Sequence, residues 1–127
     1  MTTTDEWMIL LVAHGTRDEA GHATSQELRN AVAARFASQS VRLAYVDVRQ
    51  PSPSEVLNHW SVVDTIVVPV FLGAGYHVRV DIPEVLAEHP HVRATASLGP
   101  EPEIIDALTD RWHQTGTQPE HLSLIHI

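Results

Sequence analysis

Three places in this sequence carry residue types that do chemistry. His14 follows the apolar run "MILLVA", Asp47 stands in "AYVDVRQ", and His77 and Arg79 follow the Gly73–Gly75 turn of "FLGAGYHVR". With Arg17 and Arg49, this makes two imidazoles, one carboxylate and three guanidiniums delivered by three separate runs. A neutral imidazole accepts a proton or a metal ion near physiological pH. Arginine pairs with carboxylates through two parallel hydrogen bonds. The chain has no cysteine, so disulfides, thiolate metal sites and cysteine nucleophiles are excluded, and His, Asp and Glu remain for metal ligation. A histidine at a strand end is also an ordinary hydrogen-bonded loop residue. It is the pair, with Asp47 between them in sequence, that singles out a site. His22, His59, His89, His91 and His113 fall in helices or connections at solvent-compatible positions, and His121 and His126 lie in the tail.

These residues need a frame that brings them to one edge. Met8–Ala13 is a continuous apolar run without alternation, the pattern of a strand buried on both faces. Val41–Val48, Thr65–Leu72 and Val92–Leu98 read as three more strands, with Pro69 predicting a bulge or bend in the third. Between them, "TSQE" from Thr24 predicts a capping box. It opens a helix whose Leu28, Val32 and Phe36 form an apolar stripe, each contributing about 1.5–3 kcal/mol if buried. Ser52-Pro53-Ser54-Glu55 predicts a second helix start, with Pro53 in the first turn. Asp81 and Glu84 read as capping a third helix through His89, and Glu101-Pro102 opens a fourth with Ile104, Ile105 and Leu108 facing inward. The order βαβαβαβα with short connections predicts an α/β fold of three layers (α/β/α), a four-stranded parallel sheet of flavodoxin-like type. In such sheets ligands bind beyond the carboxyl ends of the strands, where His14, Asp47 and His77 fall.

Composition bounds the rest. The 127 residues predict one α/β domain over residues 1–115, followed by an irregular or non-native tail over 116–127. A net charge of −8 argues against nucleic acid as a partner. No apolar run approaches the ~20 residues needed to span a bilayer, and "MTTTDEW" has no basic leader, so a cytoplasmic location without membrane contact is expected. "GAGYH" lacks the spacing of a dinucleotide or phosphate loop and precedes an acidic helix start. There is no Gly-x-Ser-x-Gly elbow.

The segments "LLVAHGTRD", "AYVDVRQPSPSEVL", "VVPVFLGAGYHVRVDIPEVL" and "LGPEPEIIDAL" together resemble the class II sirohydrochlorin and cobalt chelatases, over about residues 8–111. The resemblance implies ATP-independent insertion of Co2+ or Fe2+, with Ni2+ as a further candidate, into sirohydrochlorin, and no organic cofactor. It also implies that His14 and His77 hold the metal and handle protons. The family's glutamate after the second strand falls on Asp47 here, a carboxylate one methylene shorter. Arg17, Arg49 and Arg79 are placed to pair with the substrate's carboxylates, and Gly73 and Gly75 to leave room for a flat macrocycle. The family's short members are homodimers and its long members carry two tandem domains, so a second domain is expected to complete the pocket. A non-catalytic metal- or tetrapyrrole-binding domain of the same fold is the alternative.

Overall fold

A computed structural model describes residues 7–73, 75 and 77–116, the side chains of His77 and Val78 excepted. The tail expected to be irregular therefore lies outside the described residues from position 117 onward. The order is β1 (Met8–Ala13), α1 (Glu19–Arg35), β2 (Ser40–Tyr45), α2 (Pro53–His59), β3 (Thr65–Pro69), a π-helical turn (His77–Asp81), α3 (Ile82–Ala87), β4 (Val92–Ala94) and α4 (Pro102–Gln114). The four strands form one parallel sheet in the order β2-β1-β3-β4. This is the arrangement that helical crossovers require. Among the described residues no helix is long and apolar enough to cross a membrane.

The sheet is covered unequally. Met8, Leu10 and Val12 of β1, in register with Arg42 and Ala44 of β2 and with Thr65 and Val67 of β3, turn to one face. They form the core there with Val56 and Leu57 of α2, Ile82 of α3 and Val92 of β4. The opposite face is only partly covered. The helix α1 meets the edge strand β2 through polar anchors: Arg29 Nη1 donates to the Val41 carbonyl at 2.9 Å, and the His22 ring packs on Tyr45 with centroids 5.6 Å apart. Held over the edge, α1 leaves a gap of about 290 Å³ between Phe36 and the β1 and β3 residues Ile9 and Ile66. The expected core stripe is therefore corrected: Leu28 and Phe36 are 41% and 45% exposed, and α1 has no buried residue. The same holds for α4, where Ile105 and Leu108 are exposed rather than inward-facing.

Several boundaries also differ from expectation, each for a local reason. Asp18 caps α1 by accepting from the Gly21 N–H at 3.1 Å, so the helix starts before Thr24. The Thr24 and Ser25 hydroxyls donate instead to the Ala20 and Gly21 carbonyls. The second strand ends at Tyr45 rather than Val48; Val48, with φ +51, cannot continue an extended chain. Pro69 ends β3 rather than bulging it, although the Val70 N–H still donates to Val12 at 2.8 Å. Past Ala94, the chain keeps only isolated bonds to the β3 side, Thr95 N–H to Val67 and Leu98 N–H to Phe71. The box at Ser52 is as expected, with Ser52 and Glu55 satisfying each other's backbone N–H and Pro53 in the first turn. Asp81, by contrast, makes no capping bond. His89 is not at a solvent-compatible position, being 5% exposed.

Candidate active site

The carboxyl ends of β1 and β2 are joined past their last paired residues. Val46 donates to the Ala13 carbonyl at 3.0 Å and Asp47 to the His14 carbonyl at 2.9 Å. His14 and Asp47, both exposed, thus sit side by side on the rim although each lies outside its strand. Gly15 makes the approach possible. Its φ is +99, and a Cβ there would lie 2.1 Å from the Asp47 carbonyl oxygen.

The ring of His14 is oriented by its own loop. Its Nδ1 lies 3.1 Å from the Gly15 carbonyl oxygen. A carbonyl only accepts, so Nδ1 carries the proton and the neutral ring has its lone pair on Nε2. One oxygen of the Asp47 carboxylate accepts from the Val48 N–H at 2.9 Å, which fixes that side chain against the turn that follows β2. The Arg49 guanidinium ties the two loops together. Nε donates to the Thr16 carbonyl at 2.7 Å, and Nη2 to the Arg17 carbonyl at 3.3 Å and to Glu19 at 3.0 Å. Arg49 therefore acts here as a clamp between the β1 and β2 loops, a role its sequence position did not disclose.

The third strand delivers its loop to the same rim. The Val70 N–H bond to Val12 holds the end of β3 beside the end of β1. Gly73 and Gly75 follow, both exposed, and a Cβ at either would meet nothing within 4 Å. Among the described residues no contact demands glycine at these two positions. His77 opens the π-helical turn, in which the Arg79 N–H donates to the Gly75 carbonyl at 3.0 Å; the His77 side chain lies outside those described. Arg17 and Arg79 are exposed. Among the described residues, which exclude the His77 ring, no group of three His, Asp or Glu could hold a metal ion.

A cleft of about 160 Å³ opens at this rim, lined by Val46, Pro53, Asp81, Ile82 and Val85. Asp81 is thus a further carboxylate at the rim that capping logic misassigned. Its signal in the sequence was its place four residues after His77 in "HVRVD". A larger groove, about 630 Å³, lies elsewhere, along the outer edge of β2 between His22, Arg29, Arg42 and Tyr45. Size alone does not make it the active site, because neither His14 nor Asp47 borders it.

Tyr45, the last residue of β2, lies close to the rim. Burial pushes its hydroxyl above the ordinary tyrosine value, and the Arg49 guanidinium pulls in the opposite direction.

Comparison with known proteins agrees with this architecture. The "Sirohydrochlorin cobaltochelatase" of Methanothermobacter thermautotrophicus is 29% identical over 130 residues, covering 81% of this chain and 88% of that one. A protein of the same name from Methanococcoides burtonii is 29% identical over 85 residues, and the match spans 65% of each chain. The crystal structure of a cobalamin (vitamin B12) biosynthesis CbiX protein from Marinobacter aquaeolei VT8 superposes with a TM-score of 0.65 at 27% identity, over 87% of this chain and 98% of that one. SirB from Bacillus subtilis, solved with Fe3+, shares the fold at a TM-score of 0.81 and 18% identity; this chain spans 50% of its length. A family model, CbiX, matches residues 8–115, a span that takes in all the rim residues described above. The chain belongs to the CbiX family.

Proposed function

We propose that the chain inserts a divalent metal ion, Co2+ or Fe2+, into sirohydrochlorin without ATP or an organic cofactor. The observation that carries this reading is the backbone union of His14 and Asp47 on the rim. The family match and the names of the archaeal relatives support the same reading.

Metallation exchanges two ring N–H protons for one divalent ion. The site must therefore present a metal and accept protons. The His14 imidazole serves either task, and His77, arriving from the neighbouring loop, is its partner in this scheme. Asp47 adds a negative charge that favours both the cation and the imidazolium formed after proton transfer. Two imidazoles and a carboxylate leave coordination positions open for the ring nitrogens. Such a set takes Fe2+, Co2+ or Ni2+ without selecting strongly among them. Weak binding suits the task, since the ion has to leave.

The substrate is rich in carboxylates, and the chain carries a net charge of −8. Arg17 and Arg79, exposed on the rim, provide local positive charge for it. The open space over Gly73 and Gly75 gives a flat ring access to the backbone. At about 160 Å³ the rim cleft is well below the ~300–1,000 Å³ typical of ligand pockets. A second copy or a second domain completing the pocket accounts for this, and homodimerisation is part of the proposal. The exposed stripe of Ile105, Leu108 and Trp112 on α4 gives a further apolar surface for such contact.

The test is anaerobic. The chain is mixed with sirohydrochlorin and Co2+ or Fe2+, and the absorption spectrum is followed beside that of His14→Ala. Accelerated metallation that disappears in the variant, with its circular dichroism unchanged, supports insertion. Binding of metal or tetrapyrrole with no acceleration assigns the chain to a non-catalytic binding domain instead.

A further inference from the structure

At the amino end of the sheet, opposite the rim, two histidines share an unusual environment. His89 is 5% exposed, although it stands only two residues after the last residue of α3. His91 is half-buried and directly precedes β4. The Nε2 atoms of both rings are buried and have no hydrogen-bond partner among the described residues. Buried polar atoms without partners are rare, because desolvation is then uncompensated, and an ion or a water is a common resolution. Here two such atoms occur on neighbouring rings.

The backbone holds these rings firmly. The His89 N–H donates to Leu86 at 3.0 Å, Val92 donates to the His89 carbonyl at 3.0 Å, and Thr65 of β3 donates to the His91 carbonyl at 3.3 Å. The ring centroids are 5.9 Å apart, with planes inclined at 81°. A metal ion bound by two imidazoles at ~2.0–2.1 Å from each nitrogen places the ring centres roughly 5 to 6.5 Å apart, across angles from tetrahedral to linear. The observed separation lies inside this range. Coordination has no requirement for coplanar rings, so the steep inclination is compatible with it.

We propose that His89 and His91 together bind one divalent transition-metal ion through their Nε2 atoms, at a site separate from the rim. The ion is of the borderline class that imidazole prefers, such as Zn2+, Co2+ or Ni2+, with water completing its coordination. His91, half-buried, gives a short path from solvent. The site stands more than about 20 Å from His14, because the register puts His91 level with Trp7, seven residues before His14 along the first strand. Its occupancy is independent of whether the rim inserts metal. Its effect is to brace the junction of α3 with β4, a strand of three residues.

The experiment uses the whole chain with 15N-labelled histidine at slightly alkaline pH, titrated with Zn2+ and observed through long-range 1H–15N imidazole spectra. The expected result is that the Nε2 signals of His89 and His91 shift together and saturate at the same Zn2+ concentration. In His91→Gln the His89 signal stays in place at that concentration. The idea is overturned if either Nε2 signal in the native chain stays unmoved in excess Zn2+, or if His89 responds as before in the folded variant. The native-chain titration decides alone should the variant not fold.

Discussion

Asp47 donates its backbone N–H to the His14 carbonyl at 2.9 Å, immediately after the Val46–Ala13 bond of 3.0 Å. The ladder between β1 and β2 therefore continues into the loops that carry His14 and Asp47. Neither residue needs a strand assignment to be held in place. Their spacing is set by main chain, with Gly15 fitted against the Asp47 carbonyl.

Replacing that glycine is expected to disturb both stability and chemistry. In Gly15→Ala the new Cβ, at 2.1 Å from the Asp47 oxygen, must push the two loops apart, and φ +99 adds strain. The expected cost is about 2 kcal/mol or more. The measurement is thermal melting together with the rate of metal insertion. A variant that melts with the native protein and inserts metal at the native rate would show that the loops are not locked as described.

Arg49 is expected to matter through the fold rather than through substrate. Its guanidinium serves the Thr16 and Arg17 carbonyls and Glu19. Arg49→Ala removes these donors and is expected to cost about 1–3 kcal/mol. Arg49→Lys recovers little, because an ammonium lacks the planar fork. The Glu19 contact is the minor part: its side chain is 85% exposed, so Glu19→Gln is expected to change stability by no more than about 1 kcal/mol. Denaturant melts of the three variants test the ranking. A rise in KM for sirohydrochlorin with an unchanged melt of Arg49→Ala would return this residue to substrate binding.

What the sequence disclosed follows from which forces act locally. The first strand was legible because its apolar run spans Met8–Ala13 and ends at His14-Gly15. The box at Ser52 was legible because capping involves residues three apart. The strand ends also led to the expectation of His14, Asp47 and His77 on one rim; His14 and Asp47 lie there side by side, and the His77 side chain is outside those described. Less legible were features fixed by tertiary context. Leu28 and Phe36 have helical spacing, yet α1 is held at the sheet edge by Arg29 and His22, so the spacing did not lead to burial. The clamp made by Arg49 joins residues more than thirty positions apart, as far as Thr16, and no local pattern marks it. The burial of His89 has the same origin, in packing that the four-residue connection between α3 and β4 does not reveal.

Val48 offers a stabilising substitution. It is a β-branched residue at φ +51, a conformation that costs roughly 1–2 kcal/mol for an L-residue. Its side chain is 47% exposed, so little packing is lost on replacement. Asn tolerates the left-handed region better. Val48→Asn is expected to gain about 0.5–1 kcal/mol, since Asn relieves only part of that strain. Chemical denaturation reads this directly, and a loss of stability would mean that the turn does not hold Val48 in this strained form.

Tyr45 sets an alkaline limit on the fold. Burial raises its hydroxyl above the ordinary value of 10.0, an effect that Arg49 partly opposes. In the unfolded chain the phenol ionises near that ordinary value, while in the fold it keeps its proton. Above pH ~10 the folded state therefore binds more protons than the unfolded one, and stability falls as pH rises. Below pH ~10 the contribution is fully present. Tyr45→Phe abolishes this dependence but also loses the hydroxyl contact with His22 Nδ1 at 3.2 Å. The variant is thus expected to be less stable near neutral pH, by about 0.5–1.5 kcal/mol, and to lose less stability on alkalinisation. Denaturant midpoints measured from about pH 8 to about pH 11 should converge for the two proteins. Parallel curves over that range would mean that Tyr45 ionises in the fold as readily as in the open chain.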